Sequence, residues 1–103
     1  MGHVTAIRRG DVVLVRLEKT RPCVVVSPDE LNMHLRTRIV APMTTGSHSY
    51  AFRVPCRFKG RAGHVVLDQI RTIDQERVVA SIGHLPPGVV KKALTTLQEM
   101  FAP

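Results

Sequence analysis

Aromatic side chains are nearly missing from this chain. It has no Trp, one Tyr and three Phe among 103 residues, so its interior must be aliphatic. Cysteine is scarce as well. Cys23 and Cys56 lie far apart, with no C-x-x-C spacing. Two reduced thiols in a cytosolic protein are expected, with a disulfide as the alternative. No apolar run approaches the ~20 residues that cross a bilayer. The opening MGHVTAIRRG has no apolar core of the signal-peptide kind. A soluble, cytoplasmic protein with no membrane contact is expected. Acids are the next deficit: 8 against 15 Lys and Arg, a formal charge of +7. Residues 1–60 hold ten basic and four acidic side chains, a net of +6, so the excess is local. Such a half either meets a polyanion or keeps a small domain soluble.

Several chemistries are excluded by missing motifs. The five histidines (His3, His34, His48, His64, His84) form no H-x₃-H or H-E-x-x-H pair and no Cys/His cluster. The carboxylates are too dispersed for a metal cage, so no metal and no cofactor is expected. There is no P-loop, no G-x-S-x-G and no G-x-G-x-x-G. Asp74, Glu76 and Glu99 make no evident acid pair, which argues against a glycosidase.

What is present is mostly strand. Residues 11–17 (DVVLVRL), 21–27 (RPCVVVS), 39–43 (IVAPM), 50–56 (YAFRVPC), 64–68 (HVVLD) and 77–82 (RVVASI) read as strands. Pro42 points to an edge or a strand end. Ser27-Pro28-Asp29 and Thr45-Gly46-Ser47 read as loops, and residues 59–63 as a hairpin connection. Over residues 87–101 the period changes: Val90, Leu94, Leu97 and Phe101 recur at helical spacing. The chain reads as one domain over residues 1–103, α+β but predominantly β, with the sheet curled into a small barrel and closed by a C-terminal helix.

Polar residues gather at the strand ends: Arg21, then Thr44 and Thr45, then Gln69 and Arg71. Rigid sheets present functional groups at such places. By spacing alone, a surface charge, a turn cap and a backbone bracket explain them better than a site does.

Four strings in order carry a family resemblance. RRGDVVLV (residues 8–15), TRPCVVVS (20–27), IVAPMTT (39–45) and VVLDQIRTIDQERV (65–78) resemble the motifs of MazF/PemK toxins. The resemblance spans roughly residues 8–101. It implies an SH3-like barrel of the CcdB/MazF kind, forming a homodimer. It implies a type II toxin that cleaves single-stranded RNA, often mRNA, without metal, and a cognate antitoxin whose acidic tail occupies the RNA groove. By position it makes Arg21 and Thr44 catalytic. Gln69 is carried over as a substrate contact, and Arg71 as a structural or phosphate-contacting arginine. Tyr50, Thr45 and Ser27 are further RNA-binding candidates. One departure stands out. The connection Glu18-Lys19-Thr20 is very short where relatives carry a longer Gly- and Glu-containing loop, so Glu18 is not equated with that loop's glutamate. Either the groove is more open here or loop residues are missing from the chain as written.

The implied chemistry is attack by the ribose 2′-hydroxyl on its own phosphorus, leaving a 2′,3′-cyclic phosphate and a 5′-hydroxyl. A guanidinium suits the extra charge of that transition state, since it is planar and bonds two oxygens at once. A histidine ribonuclease using His48 or His64 is the internal rival. Two other classes remain. CcdB toxins share the fold and poison gyrase by binding, and a noncatalytic RNA-binding barrel needs only the basic half.

Overall fold

The fold is described from a computed structural model, which covers residues 6–45 and 50–103. In chain order the elements are β1 (Asp11–Arg16), β2 (Thr20–Val25), α1 (Asp29–His34), β3 (Thr37–Thr45), β4 (Arg53–Phe58), β5 (Arg61–Val66), β6 (Arg71–Asp74), β7 (Val78–His84) and α2 (Pro87–Met100). Short 3₁₀ turns over Leu67–Gln69 and Gln75–Arg77 flank β6. The sheet is antiparallel in the order β4-β5-β3-β2-β1-β7, with β6 added beside β3.

Successive strand residues point to opposite faces, and β1 uses both. Val12 enters a core with Val24, Ala41, Met43, Val54, Val65 and Leu67, which α2 covers through Ala93. Val13 and Val15 enter a second core with Cys23, Val25, Val40 and Ile73. The valine-rich runs are therefore buried on both sides, as their unbroken apolarity implies. The barrel is not closed by hydrogen bonds. Phe58 of β4 instead packs on Gly83 of β7, where an added Cβ would stand 3.0 Å from the ring.

β3 organises the fold because it serves three partners. It pairs β6 over residues 37–40, β2 over 40–42 and β5 over 43–45. The expectation that Pro42 marks an edge or a strand end is corrected. Pro42 lies within β3 and pairs Cys23, at the step where the other side of β3 changes partner from β6 to β5. A residue without an N–H is tolerated there because that side has no ladder bond to make.

The sequence reading misses two elements and misplaces others. α1 begins at Asp29, inside the stretch read as loop, and Asp29 and Glu30 suit its first turn. β6 has one buried residue in four, Ile73, too weak a pattern to read. The strand expected over residues 50–56 starts at Arg53, after a turn containing Phe52 at φ 65°. The strand expected over 64–68 occupies Arg61–Val66, because the hairpin turn is only Lys59 and Gly60, both with positive φ. The C-terminal helix packs through Val89, Val90, Ala93, Leu97 and Met100. Phe101 lies past its end and is exposed. No helix among the described residues is long and apolar enough to cross a membrane.

Candidate active site

The β1–β2 hairpin positions the first candidate group, Arg21. Val15 pairs Arg21 and Arg16 pairs Thr20, so residues 17–19 must form the turn beside Arg21. Along β2, Arg21 alternates with Cys23 and Val25 and so lies on the face of the second core. On β3 the same face carries Val40, Pro42 and Thr44. Arg71 opens β6 opposite Val40, and Gln69 ends the 3₁₀ turn anchored by the fully buried Leu67.

These elements converge on one pocket of about 300 Å³, lined by Leu17, Glu18, Arg21, Pro42, Thr44, Gln69 and Arg71. Four of the candidates named from sequence are thus brought together from three strands and a turn. Two guanidinium groups and one carboxylate give the lining a net positive charge. Glu18, set aside in the sequence reading, stands in the wall because the hairpin turn is tight. The register Arg16 to Thr20 is the signal that could have placed it.

The second core lies on the same face of the sheet as the pocket. Cys23 is fully buried between Arg21 and the pairing with Pro42. Burial pushes its thiol up to about 11 against the opposing pull of Arg21 and Arg71. Both cysteines are free thiols, so the disulfide alternative is not the one found.

The turn carrying Gln69 is tied down from outside. Arg53 Nε and Nη2 donate to the two Asp68 carboxylate oxygens at 3.0 and 3.1 Å. That hydrogen-bonded guanidinium holds the Asp68 carboxyl below the usual carboxylate range. The same Arg53 lies 4.8 Å from the centre of the Tyr50 ring. Tyr50 is therefore linked to the site through Arg53 and Asp68, and its exposed ring does not line the pocket.

Two other candidates lie elsewhere. Thr45 lines a neighbouring, mostly apolar cleft of about 300 Å³ with Met43, Phe58, Ile82 and Arg61. Ser27 is corrected from an RNA contact to a structural residue. It is 2% exposed, its hydroxyl donates to Asn32 Oδ1, and it accepts from the Ile39 N–H at 3.0 Å. Both of its hydrogen-bonding roles are used in fastening α1 to β3. Of the histidines, His64 pairs Thr44 across the β3–β5 ladder. His48 falls outside the described residues. Among the described residues no three His, Cys, Asp or Glu gather as metal ligands.

The profile of the PemK-like, MazF-like toxins of type II toxin–antitoxin systems matches residues 8–101. No curated protein sequence matches the chain. Among solved structures, a mycobacterial endoribonuclease in complex with its cognate antitoxin superposes with a TM-score of 0.84 at 23% identity, covering 93% of this chain and 96% of that one. The toxin MazF-mt6 of Mycobacterium tuberculosis gives 0.78 at 23% identity, over 88% and 95%. A MazE–MazF complex of Deinococcus radiodurans gives 0.79 at 23% identity, over 92% and 94%. At that identity the structural likeness concerns the fold.

Proposed function

Because the chain belongs to the PemK-like, MazF-like toxin family of type II toxin–antitoxin systems, we propose that it is a metal-independent endoribonuclease that cuts single-stranded RNA in the cytoplasm. The observation that carries this reading is the convergence of Arg21, Thr44, Gln69 and Arg71 on one pocket.

RNA brings its own nucleophile. The 2′-oxygen forms a bond to the adjacent phosphorus while the bond to the 5′-oxygen breaks, and the two oxygens must be held in line. The 2′-hydroxyl gives up its proton to water, and the departing 5′-oxygen takes one from water. The ends are a 2′,3′-cyclic phosphate and a 5′-hydroxyl. Arg21 bonds two phosphoryl oxygens and offsets the charge gained in the transition state. The Thr44 hydroxyl orients the 2′-hydroxyl or donates to a non-bridging oxygen. Gln69 supplies an amide for a base edge, and Arg71 neutralises a neighbouring phosphate. Tyr50 stacks a base outside the pocket, and Thr45 contacts the strand as it leaves along the adjoining cleft.

The proposed inhibitor is an antitoxin with an acidic C-terminal segment, which competes with RNA for Arg21 and Arg71. Two of the solved structures above are toxin–antitoxin complexes. The active form is taken to be a homodimer, checked by sedimentation velocity.

The test is incubation with a long single-stranded RNA in EDTA, followed by mapping of the 5′ ends. Cuts at a short recurring sequence with 5′-hydroxyl ends are expected. Intact RNA at enzyme excess, or cleavage only when metal is restored, would overturn the reading.

A further inference from the structure

His64 is the one titratable group that the β3–β5 ladder sets directly opposite Thr44. Paired residues share a face, with Cβ atoms about 4.5–5.5 Å apart. The strands are pressed together at this step. A Cβ on Gly63 would lie 1.8 Å from the Thr44 carbonyl oxygen, so only glycine allows the approach.

The His64 ring is half-buried, and its Nδ1 is fully buried with no hydrogen-bond partner among the described residues. Leaving such an atom unpaired costs about 1–3 kcal/mol. On the other side of His64 stands Pro55, whose side chain has nothing to donate. Across the ladder, the residue paired with His64 on its other side is the polar Thr44.

We propose that His64 is a positioning residue for Thr44: its buried Nδ1 accepts the threonine hydroxyl hydrogen and leaves the Thr44 oxygen lone pairs facing the pocket. In the RNA reaction those lone pairs hold the ribose 2′-hydroxyl in line before it gives its proton to water. That consequence rests on the ribonuclease reading above, while the His64–Thr44 bond itself does not. The neutral ring with its proton on Nε2 is the acceptor form, and a protonated ring cannot accept. Cations surround it. Arg53, paired with Asp68, and Arg57, bonded to the Gly60 carbonyl, flank Pro55 on β4. Arg21 and Arg71 stand across the pocket beyond Thr44. On β5 itself Ala62 and Val66 are uncharged.

The first measurement is cleavage of single-stranded RNA from about pH 5 to about pH 8 by wild type, His64→Leu and His64→Asn, with folding followed by circular dichroism. Asn keeps an acceptor near the Nδ1 position and does not titrate. His64→Leu should lower kcat about tenfold with KM nearly unchanged. His64→Asn should keep most of kcat at every pH. The second measurement needs no cleavage. Imidazole ¹⁵N spectra of the whole protein should show the Nε2–H tautomer, and Thr44→Val should move the Nδ1 signal. An unmoved Nδ1 signal, a His64→Leu variant equal to wild type at every pH, or a change in KM alone would each overturn the proposal. Should wild type leave RNA intact, the ribonuclease reading fails and the Nδ1 signal still decides the pairing.

Discussion

Under the proposed mechanism, Arg21 does what no lysine could do in the same place. Its planar fork spans two oxygens of one phosphate, whereas an ammonium is a point charge. Arg21→Ala is expected to lower kcat by about 10²–10³. Arg21→Lys should lie nearer to Ala than to wild type in single-turnover cleavage. Asp68 acts at one remove, by holding the turn that carries Gln69. Its carboxyl is held down in the folded state. The stabilisation is therefore present above the unfolded value near 3.9 and lost as pH falls through the lower folded value. Thermal melts of wild type should fall over that acid range. Those of Asp68→Asn should start lower at neutral pH and vary less there.

At the scale of the element, β3 decides the geometry. It takes Pro42 past β2 and then delivers Thr44 to β5. Gly63 is the device that permits this contact, and Gly63→Ala must push the Thr44 backbone away. A loss of about 1–3 kcal/mol in stability is expected, with a fall in kcat larger than the rise in KM. Urea unfolding and steady-state cleavage would measure the two. The sequence made β1, β2 and α2 legible, since valine runs and a helical apolar stripe survive any tertiary context. It hid α1, whose one buried residue, Asn32, is polar, and β6, which exists only because β3 offers it an edge. Residue types at strand ends did not separate Arg21, Thr44 and Gln69 from ordinary turn chemistry. Their ordered motifs named them by resemblance, and the register brings them to one pocket. Ser27 sits in an equally well-matched string, yet its hydroxyl is consumed by Asn32 and Ile39. Glu18 and His64 were the converse case: neither belongs to a matched string, and only strand pairing places them beside Arg21 and Thr44.

For the whole molecule, the proposed function assigns attraction of RNA to the excess positive charge over residues 1–60 and the chemistry to the pocket. The two pocket arginine–phosphate contacts contribute about −1.4 to the slope of log binding constant against log salt with single-stranded RNA. Arg71→Ala should reduce that slope by about 0.7, measured by filter binding with the Thr44→Ala protein so that the RNA stays whole. The central claim is that Arg21 and Thr44 make this toxin-family barrel a ribonuclease. Single-turnover digestion of a long single-stranded RNA by wild type and by the Arg21→Ala/Thr44→Ala double variant, both in EDTA, tests it most directly. Discrete cuts by wild type and none by a double variant that still folds are predicted. Equal cleavage by the two proteins would contradict the account.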